Sequence, residues 1–92
     1  MENREDAIRS FTAVADEAAA AVSCATLTGD FDEARFRAQL LVVRADAAGF
    51  KRLAVAAAEL STLLGHSGAK PSSGFAAGVL RVADELDKVA LV

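Results

Sequence analysis

The sequence predicts an all-α fold, an antiparallel up-and-down four-helix bundle, on three observations. Four stretches space their apolar residues 3 and 4 apart, no stretch shows the period-two alternation of a strand, and alanine carries the apolar content. The chain has 92 residues, 53% of them hydrophobic, yet it contains no Trp, no Tyr and five Phe, because 22 residues are Ala. Small side chains at that density suit helices that pack closely. A chain of this length makes a single domain, residues 1–92, with one modest core.

The first helix is expected over 4–27, where Ile8, Phe11, Ala15, Ala18, Val22 and Ala25 fall on one stripe. The segment Thr28-Gly29-Asp30 breaks the pattern. Gly29 suits a helix stop and Asp30 an N-cap, with Glu33 three residues on in a capping-box arrangement. The second helix follows over 31–48, with Phe31, Ala34, Ala38, Leu41, Ala45 and Ala48 as its stripe, and Gly49 ends or bends it. The third, over 50–64, repeats the spacing at Phe50, Leu53, Ala57, Leu60 and Leu64. The stretch 65–73 reads as an exposed loop because GHSGAKPSSG carries three Gly, three Ser and the one Pro. Ser72 or Ser73 can cap the fourth helix, expected over 74–91 with Phe75, Val79, Val82, Leu86 and Val89 inward.

Composition also narrows the function classes. A net charge of −3 with a high apolar fraction argues for a folded chain. The longest uncharged run, Ala18 to Gly29, is too short to span a bilayer, so no membrane partner is expected. The opening MENRED and the acids Asp16 and Glu17 do not make a secretory signal, and the cytoplasm is the expected location. One Cys and one His cannot build a structural zinc site, and Cys24 reads as a small residue inside a helix. Nucleic acid is an unexpected partner for a chain of pI about 5.0 whose basic residues are not interleaved with aromatics. Nor does the sequence contain a Gly-rich phosphate loop or a nucleophile–base constellation, so neither enzymatic activity nor a cofactor is expected. Glu59, Asp84, Glu85 and Asp87 read as solvated polar faces.

The segment GDFDEARFRAQLLVVRADAAGFKRL, residues 29–53, resembles the signature of histidine-containing phosphotransfer (HPt) domains, whose pattern is a Gly-Asp-aromatic opening followed by an Ala-His-x-Leu-Lys-Gly core on the second helix. Gly29, Asp30 and Phe31 match the opening, and Ala38, Leu41, Ala45, Gly49 and Leu53 match the helical positions without a gap. The resemblance implies a four-helix bundle acting in two-component phosphorelay signalling, with a response-regulator receiver domain or a histidine kinase as partner. The departures fall on the chemistry: Gln39 stands at the phosphoacceptor position, Val42 at the Lys and Val43 at the Gly. A carboxamide nitrogen is delocalised into its carbonyl, so Gln39 cannot take a phosphoryl group as a neutral imidazole does. The resemblance therefore points to a pseudo-phosphotransfer interaction module. An alternative nucleophile, His66 in HSGAKPSS, lies in a Gly/Pro loop with one helix beyond it, whereas the family's histidine projects from mid-helix.

The second helix is apolar on two sides. Ala34, Ala38, Leu41 and Ala45 lie along one, and Phe36, Leu40, Val43 and Ala47 lie nearly opposite. Arg35, Gln39 and Asp46, with Val42, occupy one flank between them, and Arg37 and Arg44 the other. The partner-binding candidates are accordingly Arg35, Phe36, Leu40, Val42, Val43 and Asp46 around Gln39. Wider packing inside the chain would cover this second face, and so would a homodimer, which makes a structural homo-oligomer the alternative reading. Between Arg35 and Arg52, five basic residues stand against the one acid Asp46, an asymmetry able to steer an acidic partner.

Overall fold

A computed structural model of the chain describes residues 4–66, 68 and 70–90. Among the described residues the protein is all-helical, with α1 (Arg4–Ser23), a π-helical segment (Cys24–Thr28), α2 (Phe31–Ala47), α3 (Lys51–Leu64) and α4 (Phe75–Ala90), and no strand. The helices pack in a bundle-like body of 44 × 19 × 19 Å. Helix α2 lies against both α1 and α3, α3 carries α4, and α1 meets α4 only lightly.

The expected boundaries hold within a few residues except at the end of the first helix. Its α-helical part stops at Ser23, and the chain continues as a π-type turn to Thr28. The hydroxyls of Thr26 and Thr28 bond back to the carbonyls of Val22 and Cys24, at 2.7 and 3.2 Å, and such back-bonding competes with the helical ladder. Gly29 then closes the segment at φ 68°, a left-handed conformation that a side chain would disfavour. Asp30 caps α2 as expected, its carboxylate accepting from the Glu33 amide at 3.1 Å. The reciprocal half of a capping box is absent, because the Glu33 carboxylate faces Arg37 and the Asp30 amide donates to the Thr28 hydroxyl instead. In the last connection it is Ser72 that shapes the turn: its amide donates to the Leu63 carbonyl at 2.7 Å, and its own carbonyl accepts from Phe75 at 3.0 Å.

Two of the predicted stripes are the core. Ala34, Ala38, Leu41 and Ala45 of α2 and Leu53, Ala57, Leu60 and Leu64 of α3 are fully buried. Val79 and Val82 close the same core from α4, with Phe75 and Leu86 packed at its edge. An edge-on contact between Phe31 and Phe75, ring centroids 5.7 Å apart, ties the start of α2 to the start of α4. On α1 and the π-helical segment after it the register differs from expectation in part: Val14, Ala18, Ala21 and Ala25 are buried, while Ala15 and Val22 are half-buried. The run Ala18–Val22 is apolar at every position, so it carries no contrast from which to read a face. The Ile8 side chain and Leu91 lie outside the described residues. Glu85, expected on a solvated face, is buried instead, held by Lys88 at 3.2 Å and Arg52 at 3.7 Å.

Candidate functional site

Helix α2 is held on both flanks, and what it leaves uncovered follows from that. Its alanine seam packs inward, and the ridge on the far side stays outside. Phe36 is 52% and Val43 65% exposed, Gln39 is exposed between them, and Leu40 is half-buried. The second apolar side of α2 is thus only partly covered within the chain. The guanidinium of Arg37 stands 5.7 Å from the Phe36 ring centroid, a cation–π contact at one end of the ridge. At the other end, Val42 and Val43 form the α2 wall of an open groove whose α3 wall is Lys51, Ala54, Val55 and Ala58. Val42 itself is half-buried and packs on the core. Asp46 is exposed and paired with Lys51 at 2.6 Å, which closes the end of the groove with a neutral pair.

Arg35 requires a correction. Expected among the exposed partner-binding residues, it is 6% exposed, and its side chain runs inward to the end of α3. Nε and Nη2 both donate to the Leu64 carbonyl, and Nη1 pairs with Asp32. The reason is local: the last carbonyls of a helix have no partner of their own, and a forked cation in reach satisfies one of them. Arg35 therefore contributes a helix clamp and no charge to the ridge.

The basic asymmetry read from the sequence is likewise cancelled in three dimensions. Glu17 of α1 reaches Arg37 at 3.4 Å and Arg44 at 3.6 Å, Glu33 takes Arg37 at 2.9 Å, Asp46 takes Lys51, and Glu85 takes Arg52. Desolvation opposes the Arg37 charge, but the hydrogen bonds and attraction of Glu17 and Glu33 outweigh it and hold its pKa above the ordinary value. What the ridge exposes is apolar surface and the carboxamide of Gln39, which donates and accepts hydrogen bonds but is no nucleophile.

His66 sits in the connection after α3, exposed and off any helix. Cys24 is half-buried in the π-helical segment against the core. Among the described residues no group of three or more His, Cys, Asp or Glu is placed to hold a metal ion, and no helix is long and apolar enough to cross a membrane. Sequence reasoning missed three exposed apolar side chains elsewhere, Leu27 in the π-helical segment, Val55 on α3 and Leu80 on α4. The available signal was that all three fall off the inward stripes read for their helices. Comparison of the chain with protein-family profiles, with curated proteins and with solved structures returns no match.

Proposed function

We propose that this chain is a non-catalytic, HPt-like docking module that binds a receiver domain or a histidine kinase of a cytoplasmic phosphorelay without accepting phosphate. The observation that carries the reading is the α2 ridge: Gln39, at the phosphoacceptor position of the resemblance, is exposed between exposed Phe36 and Val43. Contiguous apolar surface of this kind marks interaction sites more often than not. An antiparallel, HPt-like arrangement belongs to the same proposal. It is supported by the short links at 29–30 and 48–50, and by Arg35, near the start of α2, reaching the last residue of α3. Because the basic residues beside the ridge are ion-paired, recognition rests on apolar burial around Gln39 and not on long-range attraction.

The test uses a receiver domain phosphorylated with labelled acetyl phosphate. Calorimetric titration is expected to show binding, and the label is expected to stay on the receiver. Phe36→Glu and Val43→Glu should each weaken binding by about tenfold or more while leaving the thermal midpoint nearly unchanged, as surface substitutions do. Label transfer to the wild-type chain that His66→Ala abolishes would replace this reading with active phosphotransfer. A wild-type dimer that Leu40→Glu dissociates would assign the ridge to self-association.

A further inference from the structure

Helix α1 is attached to the bundle by small side chains and one carboxylate. Its described buried residues are Val14, Ala18 and Ala21, followed by Ala25 in the π-helical segment, whereas α3 buries Leu53, Leu60 and Leu64. Burial stabilises in proportion to the apolar area removed from water, so alanines hold α1 less firmly than leucines hold α3. Helix α1 packs on α2 along one side and meets α4 only lightly. By contrast α4 lies close on α3, where a Cβ on Gly78 would stand 3.4 Å from Leu60 Cδ1, and its Phe75 ring packs edge-on against Phe31 of α2.

The polar attachment of α1 runs through Glu17. Its side chain is 13% exposed and its carboxylate reaches Arg37 Nη1 at 3.4 Å and Arg44 Nε at 3.6 Å. Both contacts are longer than a tight charge-assisted hydrogen bond of about 2.8 Å. Beyond Ser23 the backbone is built to bend. The α-helical ladder gives way to π-type turns over Cys24–Thr28, the hydroxyls of Thr26 and Thr28 bond to the carbonyls of Val22 and Cys24, and Gly29 stands at φ 68° in open space. On the far side of this joint, Asp30 caps α2 through the Glu33 amide, so α2 keeps its own start whatever α1 does.

We propose that α1 is a hinged strap, which swings off α2 about residues 24–29 at lower cost than global unfolding and leaves α2, α3 and α4 packed. Opening takes the Glu17 carboxylate away from Arg37 and Arg44, while Glu33, on α2 itself, stays with Arg37. The flank beside Phe36 therefore becomes more positive when the strap opens, and the closed strap is an internal mask on that charge. The inference does not rest on the phosphorelay reading, since it concerns how α1 is held and not what the ridge binds.

Native-state amide hydrogen exchange on the intact chain, followed by NMR, tests the proposal. The amides of residues 18–22, well inside the helix and away from its fraying end, are compared with those of residues 56–60 in α3. The first set is expected to be at least about tenfold less protected, and to respond less steeply to urea because strap opening exposes less surface. Glu17→Gln should speed exchange of residues 18–22 about fivefold or more. Leu60→Val loosens packing that the closed and strap-open forms share, so it should speed exchange in α3 severalfold and leave residues 18–22 unchanged. Equal protection and equal urea dependence of the two sets would overturn the proposal. So would a Leu60→Val chain in which both sets speed up alike, or a Glu17→Gln chain in which residues 18–22 stay as protected as in the wild type.

Discussion

Arg35 of α2 donates from Nε at 3.0 Å and from Nη2 at 2.8 Å to the carbonyl oxygen of Leu64, the last residue of α3. One side chain thus satisfies a helix-end carbonyl, places a cation at the negative end of the α3 dipole and locks the second helix to the third. Arg35→Met keeps the apolar stem but leaves the buried carbonyl without this partner, and is expected to cost about 2 kcal/mol. Arg35→Lys should recover only part of that, because an ammonium lacks the fork. Urea denaturation of the three proteins checks the order, and equal midpoints would contradict it.

The Asp30 cap makes a smaller and separable contribution. Asp30→Ala removes the acceptor of the Glu33 amide and should destabilise the fold by about 1 kcal/mol, whereas Asp30→Ser should be nearly neutral. Thermal melts of both variants suffice as the check.

Gly78 sets how closely α4 approaches α3. A Cβ there would lie 2.8 Å from Leu63 Cδ1 and 3.4 Å from Leu60 Cδ1, with the Leu60 backbone at 3.6 Å. Leu63 is half-buried and can swing aside, and Ala gains about 1 kcal/mol of helix propensity over Gly, so Gly78→Ala should be close to neutral. Gly78→Val extends further toward the Leu60 backbone and should cost about 1–3 kcal/mol by overpacking. A Val variant as stable as the Ala variant would show that the two helices can separate freely.

Lys88 links stability to alkaline pH. Hydrogen bonds to Asp84 and then Glu85, reinforced by the attraction of both carboxylates, raise its pKa from the ordinary 10.5. The folded chain therefore holds this proton more tightly than the unfolded chain. Its contribution is fully present below the ordinary 10.5 of the unfolded chain and disappears as the pH rises through the raised folded value. Between those two values the thermal midpoint of the wild type should fall more steeply with pH than that of Lys88→Gln.

Sequence reasoning reached furthest where polar and apolar residues contrast sharply. The seam of α2, the stripe of α3 and the Asp30 cap were all legible, because each depends on spacing along a few turns. In α1 the alanine run carries no such contrast, and the buried face became clear only from the neighbour against which it packs. The α2 ridge was legible in outline: Phe36, Gln39 and Val43 are exposed as their opposition to the alanine seam suggests. Arg35 and part of the surrounding positive charge were misread because Leu64, Glu17 and Glu85 are far away in the chain, and no local pattern reveals a long-range hydrogen bond or ion pair. The pairs of Arg37 with Glu33 and Lys51 with Asp46 are local and were within reach of the sequence.

By itself, then, the sequence determined that the described residues form four α-helices and which side of α2 and α3 turns inward, since helical periodicity and capping are properties of neighbouring residues. Only the tertiary structure decided which cations remain available, that Glu85 is buried, and that Glu17 of α1 reaches both Arg37 and Arg44 of α2. Those features depend on which helix ends and faces meet when the chain closes, and that is a property of the packed whole.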